Sequence, residues 1–283
     1  MIKRRAKNFI SVFISNLSLT SWIILFNVLF LMGVWILSLI FGEDFLVRNI
    51  AFSWDNLVQG RVWTLLTSIF MHGSFAHLFF NMFSLFFIGR FIEKVIGRKR
   101  YFIFYLIAGV FASFFFGLLA FLFGKGIWIS IFASPSMPAV GASGAIFGLL
   151  GLLALIVPKG RVYLILGPLI ALVLELVLQN FLSDNIMTVF NFLLTIYFFV
   201  AVFALFSFNP KVRRLALAVE MPFWLLPIIA IVPLLIIGFF VELPIGNTAH
   251  IGGLLVGIAY GLYLRTKYKN KVNMLNRMVS GGR

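Results

Sequence analysis

Long apolar runs separated by short polar stretches dominate the chain, a pattern of helices that cross a bilayer, each needing about 20 apolar residues. Such runs occur near 20–42, 75–96, 101–123, 143–157, 161–181, 186–208, 216–241 and 247–265, which predicts eight spans. The run at 143–157 is short. The run at 216–241 carries Glu220, Pro222, Pro227 and Pro233, so part of it is expected to be broken or to lie in the interface. The gap at 158–161 is a tight turn and makes its flanking spans neighbours. The stretch 43–74 is the longest without a span. It mixes Trp54, Asp55, Asn56, Arg61 and Trp63 with apolar residues, as a segment lying partly in the outer interface does.

Composition agrees with lipid as the main solvent. Hydrophobic residues make up 62% of the 283 and charged residues 11%, too few polar groups to clothe a water-soluble surface. The net charge of +15 would suit a nucleic-acid partner in a polar chain; among 36 Phe it reports membrane orientation instead. With an inside N-terminus, only Arg48, Arg61 and Lys125 of the 23 basic residues fall on the outer side. Glu43, Asp44, Asp55, Asp184 and Glu242 sit in or beside the outer loops. Both termini are therefore expected in the cytoplasm, with the protein integral to the cell membrane and its first span retained. The layout is a basic tail over 1–19, a membrane domain over 20–265 and a basic tail over 266–283. The chain has no Cys, which excludes disulfides, zinc-thiolate sites and thiol catalysis, and three His leave little for a metal site. No metal or cofactor is expected.

Polar residues inside spans are costly in hydrocarbon and mark candidate sites. They are His77, Asn81, Glu93, Ser143, Glu175 and His250. Ser143 precedes the turn at Pro158 by 15 residues and His250 precedes Arg265 by 15, so each stands about 22 Å above the cytoplasmic face on helices that run the same way. His77, 13 residues before Arg90, stands about 20 Å up, with Asn81 one turn deeper on the same side. The three fall in one layer. A serine hydroxyl needs a base to become a nucleophile, and an imidazole can take its proton and later give it to a leaving amine. Ser143 is thus the candidate nucleophile and His250 the candidate base. The Ser143 backbone N–H, the Asn81 amide and the His77 ring are candidate oxyanion donors. Gly141, Ala142 and Gly144 keep the hydroxyl accessible to a substrate backbone. The pattern is not the Gly-x-Ser-x-Gly elbow of soluble hydrolases, because Gly144 follows Ser143 directly.

These residues resemble a known family. The stretch from Arg61 to Asn81 is similar to the first loop and second helix of the rhomboid core. Gly141-Ala142-Ser143-Gly144-Ala145-Ile146-Phe147-Gly148 is similar to its nucleophile motif, and Ala249-His250-Ile251-Gly252-Gly253-Leu254-Leu255-Val256-Gly257 to its histidine helix. In rhomboid order, the motifs cover about 60–265. The resemblance implies an all-α polytopic helical bundle, a six-helix core with about two additional spans. It also implies an intramembrane serine endopeptidase with a Ser–His dyad and no acid, an oxyanion hole from His77 and Asn81, and single-span membrane proteins as substrates, cut near their outer ends. Phe147 matches an aromatic that packs on the imidazole, and Glu93 a structural carboxylate. Gly253 and Gly257 would let the histidine helix press on the serine helix. Two features depart from the family: Trp63 is followed by Thr64, with Arg61 on its other side, and 107 residues separate Ser143 from His250. Either two extra spans are inserted within about 161–215 or one hydrophobic hairpin is re-entrant, and both arrangements preserve the direction of the histidine helix.

Plainer readings stand beside these. Gly141 to Gly148 taken alone is a helix-packing face. His72 reads as structural, and Phe114-Phe115-Phe116 as lipid-facing surface. Glu175, with Gln179 four residues on, is a costly carboxylate in the inserted stretch. A transporter or channel, or a catalytically silent rhomboid-like protein that only binds membrane proteins, are the competing functions.

Overall fold

A computed structural model describes residues 17–279 except 180, 206, 208 and 239–245. Glu242 and, in the basic tail expected over 1–19, Lys3, Arg4, Arg5 and Lys7 lie outside the described residues. The fold is all-α and polytopic, with one two-stranded ladder, and the chain divides into two compact units: residues 1–152 with 246–260, and 153–245 with 261–283.

In the first unit, α1 (Leu19–Phe41) begins at Ser18, whose hydroxyl accepts the Ser21 N–H at 3.1 Å. Its buried residues are Thr20, Ile23 and Asn27, a narrow stripe, and most of the helix is exposed apolar surface suited to lipid. Three short helices follow, α2 (Glu43–Ile50), α3 (Trp54–Val58) and α4 (Thr64–Thr67). They occupy the stretch expected to lie in the interface. The chain then enters α5 (Phe75–Ile96) and α6 (Arg98–Phe123). The buried face of α5 runs through Leu78, Asn81, Met82, Leu85, Gly89, Ile92, Glu93 and Ile96. Spacings of three and four residues put Asn81 and Glu93 on the one face turned to protein, where their polar atoms find or await partners. Glycines bring neighbours close: a Cβ on Gly89 would lie 2.6 Å from the Tyr101 hydroxyl, and one on Gly109 2.6 Å from the Ile69 side chain. After α7 (Ile129–Phe132), the serine helix α8 (Ser143–Ile156) starts.

The second unit holds the long excursion. β1 (Arg161–Ile165) leads into α9 (Leu166–Leu178), α10 (Asp184–Leu205) and α11 (Pro210–Arg213), and the chain returns along β2 (Ala218–Pro222). The strands pair antiparallel from Arg161 opposite Pro222 to Ile165 opposite Ala218. An exposed ion pair, Arg161 to Glu220 at 3.6 Å, flanks them. Just outside the ladder the Phe223 N–H donates to the Gly160 carbonyl at 2.9 Å, so the chain returns to the place it left. The expected inserted stretch, 161–215, falls within this closed loop. Then come α12 (Leu226–Gly238), α13 (Asn247–Lys267) and α14 (Lys269–Val279). Asn276 of α14 donates from Nδ2 to the Ile156 carbonyl at 2.8 Å.

Among the described residues four helices, α1, α5, α6 and α10, are long and apolar enough to cross a membrane, and α8 and the 223–238 stretch are shorter apolar helices. The expected spans at 161–181 and 216–241 are each divided: 161–165 and 218–222 form the ladder, and helix occupies 166–178 and 226–238. Pro222 ends β2, Pro227 falls in the first turn of α12, where a missing N–H costs nothing, and Pro233 sits inside that helix.

Candidate active site

Ser143 opens α8, and His250 lies in the first turn of α13. Their side chains meet: Ser143 Oγ is 2.9 Å from His250 Nε2, across 107 residues of sequence. The Phe147 ring, one helical turn after Ser143, stacks on the His250 imidazole at 4.2 Å between centroids and 13° between planes, which leaves the ring little freedom to turn. His250 Nδ1 is buried and has no partner among the described residues, so no carboxylate of those residues bonds to it as a third member.

The approach of the two helices rests on small residues. A Cβ on Gly253 would overlap the Gly144 carbonyl, and one on Gly257 would overlap that of Gly148. On the opposite side of α8, Gly144 and Gly148 face the Ala112 and Ala108 methyls of α6 at 2.5 and 2.6 Å from a notional Cβ. The serine helix is thus wedged between α6 and α13 by residues that add no bulk.

His77 and Asn81 converge on the residue two before the serine. Gly141 has φ +116, which favours glycine, and a Cβ there would stand 2.6 Å from His77 Nε2 and 3.5 Å from Asn81 Nδ2. Asn81 is buried, and its Nδ2 has no acceptor among the described residues. An unsatisfied buried donor costs about 1–3 kcal/mol, which an acceptor placed at Gly141 would recover. A donor held dry two residues from a serine that touches an imidazole is suited to a charge that exists only transiently.

Local capping explains the placement of His77. Ser74 N-caps α5, its hydroxyl accepting the His77 N–H at 3.1 Å, so the cap fixes the backbone of His77 in the first turn. Gly141 is held by its N–H donating to the Ser68 carbonyl at 2.8 Å, and upstream of it Phe52 and Ala139 exchange backbone hydrogen bonds at 3.1 and 2.7 Å. The stretch before the serine is therefore stitched to the segment between α1 and α5. Sequence reasoning missed Ser74, although a serine three residues before a polar helical residue is a readable cap, and it missed Ser68, whose contribution is a backbone carbonyl with no sequence signal.

The remaining residues fall as follows. Trp63 donates from Nε1 to the Asn49 carbonyl at 2.9 Å, and Arg61 donates to Asn56 Oδ1 at 2.9 Å, so both tie the loop to itself. Glu93 accepts the Leu19 N–H at 2.8 Å, the Thr20 N–H at 2.9 Å and the Thr20 hydroxyl at 2.7 Å, which makes it a cap for α1 supplied by α5. His72 is buried, Nδ1 lies 3.1 Å from the Phe70 carbonyl, and its ring meets His77 edge-on at 5.0 Å. Burial, with a smaller effect from His77, lowers its pKa to about 4. Glu175 is half-buried on α9 and has no side-chain partner among the described residues; only its carbonyl is used, by the Gln179 N–H at 3.0 Å. No group of three or more His, Asp or Glu side chains among the described residues is arranged to hold a metal.

Comparison with known proteins agrees with the sequence resemblance. The chain matches the family model of the rhomboid domain over residues 59–192 and 195–267. It is 29% identical over 136 residues to RHOMBOID-like protein 12, mitochondrial, of Arabidopsis thaliana, covering 47% of this chain and 40% of that protein. Over 76 residues it is 36% identical to Inactive RHOMBOID-like protein 8 of the same plant, 26% of this chain and 20% of the relative. Over 57 residues it is 40% identical to Rhomboid protease GluP of Bacillus subtilis, 20% of this chain and 11% of that protein. The matches thus span well under half the length of these relatives. The chain belongs to the rhomboid family.

Proposed function

We propose that this member of the rhomboid family is an intramembrane serine endopeptidase, with Ser143 as nucleophile and His250 as general base and acid. The observation that carries the reading is the 2.9 Å approach of Ser143 Oγ to His250 Nε2 beside two further polar side chains, His77 and Asn81, at Gly141. In the resting tautomer the imidazole proton sits on Nδ1, leaving Nε2 free to accept.

The steps follow from that arrangement. His250 Nε2 takes the hydroxyl proton as Oγ bonds to the carbonyl carbon of the scissile peptide, and the carbonyl π pair moves to oxygen. The oxyanion is received by the Ser143 N–H at the start of α8, the Asn81 amide and His77, whose low-dielectric setting strengthens each donor. The imidazolium returns its proton from Nε2 to the departing amine, the C–N bond breaks and an acyl-serine remains. Water, deprotonated by Nε2, then attacks the ester; collapse releases the carboxylate product and restores the serine. No cofactor enters these steps. Phe147 keeps the imidazole in the plane that both proton transfers need. The substrates are transmembrane proteins, cut near the outer end of a span, and both termini of the enzyme lie in the cytoplasm of the cell membrane.

A serine-directed fluorophosphonate tests this. It should label the purified protein at Ser143, and Ser143→Ala should lose both labelling and cleavage of a model transmembrane substrate. Cleavage that persists in Ser143→Ala would sink the proposal. One relative is named inactive, and a silent binding protein is the second reading. Intact fold and labelling, with no cleavage across a panel of transmembrane substrates, would favour it.

A further inference from the structure

We propose that the ends of α5 and α6 remote from the dyad form a headgroup site for an anionic phospholipid. A cavity of about 400 Å³ opens there, lined by Ser18, Arg90, Glu93, Lys94, Gly97 and Arg98. Three of the six are cations and one is an acid. The acid is already engaged: both Glu93 oxygens accept hydrogen bonds from Leu19 and Thr20, and Arg98 Nε lies 3.4 Å from Oε1. Arg98 also donates to the Leu17 carbonyl at 2.8 Å. Arg90 and Lys94 have no carboxylate partner among the described residues. They stand one turn apart on the same side of α5, an arrangement of like charges that opposes the helix unless an anion lies between them.

The backbone adds to this field. Gly97 is the N-cap of α6, a 26-residue helix, and has no side chain to occupy the amides of the first turn. Those N–H groups and the positive helix end favour an anion, and phosphate binds at helix N-termini for this reason. A Cβ on Gly97 would meet nothing within 4 Å, so the cavity mouth is open on that side.

Depth and apolar surface select a lipid over a free phosphate. Arg90 is 13 residues, or about 20 Å, along α5 from His77. The cavity therefore lies across the hydrocarbon layer from Ser143, at the level where headgroups of the opposite leaflet stand. Between the two levels Phe80, Phe86 and Phe87 are exposed on α5, and the Arg90 guanidinium lies 4.7 Å over the Phe86 ring. A diacyl lipid could put its phosphate between Arg90, Lys94 and the α6 amides while its chains run along these rings. Inorganic phosphate would use only the first half of the site.

The test is thermal unfolding of the purified full-length protein in dodecylmaltoside micelles with added phosphatidylglycerol, phosphatidylcholine or inorganic phosphate. Phosphatidylglycerol should raise the Tm at concentrations where the other two leave it unchanged. The Arg90→Gln/Lys94→Gln protein should need about tenfold more phosphatidylglycerol for the same rise. Lys269→Gln/Lys271→Gln, which removes two cations of α14 outside the cavity, should respond as the native protein does. Because Lys94 is exposed, Lys94→Gln alone serves if the double variant folds poorly, with the lipid-induced rise read against its own baseline. A native response in the Arg90/Lys94 variants, an equal loss in the Lys269/Lys271 variant, or an equal rise with inorganic phosphate would each overturn the proposal.

Discussion

Gly253 lies against the Gly144 carbonyl so closely that a single methyl group on it would overlap that oxygen. The contact sets how near the histidine helix comes to the serine helix, and so whether a 2.9 Å approach of Oγ and Nε2 is possible. Gly253→Val should push α13 away from α8, cost about 1–3 kcal/mol by overpacking, and slow fluorophosphonate labelling of Ser143. Tm in detergent and the labelling rate together check it; native values for both would refute the argument.

Asn81→Ala separates a catalytic donor from a structural one. If the buried Nδ2 serves an oxyanion, kcat for a transmembrane substrate should fall roughly 10²–10³-fold with KM little changed. Stability should not fall, because the substitution removes an unsatisfied donor from the interior. A drop in Tm with kcat unchanged would assign Asn81 to the scaffold instead.

Glu93 accepts three hydrogen bonds from the first residues of α1 and lies near Arg98. Glu93→Ala would leave the Thr20 N–H and hydroxyl buried without an acceptor, at about 1–3 kcal/mol for such groups. A lower Tm and faster hydrogen exchange in the first turn of α1 are expected. Labelling of Ser143 below the new Tm should persist.

The excursion from β1 to β2 should be removable. Ile165 faces Ala218 at the end of the ladder, and a two-residue Asn-Gly turn matches the twist of an antiparallel pair. Replacing residues 166–217 by Asn-Gly should give a protein that still inserts and whose Ser143 still reacts with the fluorophosphonate. Loss of labelling in a folded variant would show that α9 and α10 serve the dyad.

His72 predicts an acid dependence of stability. Its imidazole takes up a proton near pH 6.5 when unfolded and near 4 when folded, so between these values the unfolded state binds more protons. Stability is therefore full above 6.5 and declines as pH falls toward 4, by up to about 1.4 kcal/mol per pH unit. The Tm difference between pH 7.5 and 5.5 should be smaller in His72→Asn than in the native protein.

Much of the site could be read from sequence because the bilayer penalises polar groups. Ser143, His250, His77 and Asn81 stand out against apolar runs, and counting helix rise puts three of them at one depth. The register of the excursion was less legible. Residues 161–165 and 218–222 carry one charge each, Arg161 and Glu220, in otherwise apolar runs that continue into helix, and hydropathy cannot tell a strand from the end of a span in such a run. Their pairing depends on a partner more than 50 residues away.

By itself the sequence determined the solvent, the all-α class and the residue types able to act, because lipid forces long apolar helices and makes every polar exception conspicuous. Tertiary structure decided which exceptions meet. Depth is one coordinate, and a hydrogen bond needs three. The approach of Ser143 to His250, the convergence of His77 and Asn81 on Gly141, and the capping of α1 by Glu93 each require helices from distant parts of the chain to pack at a given distance. That distance is set by glycine contacts and backbone hydrogen bonds that no single stretch of sequence contains.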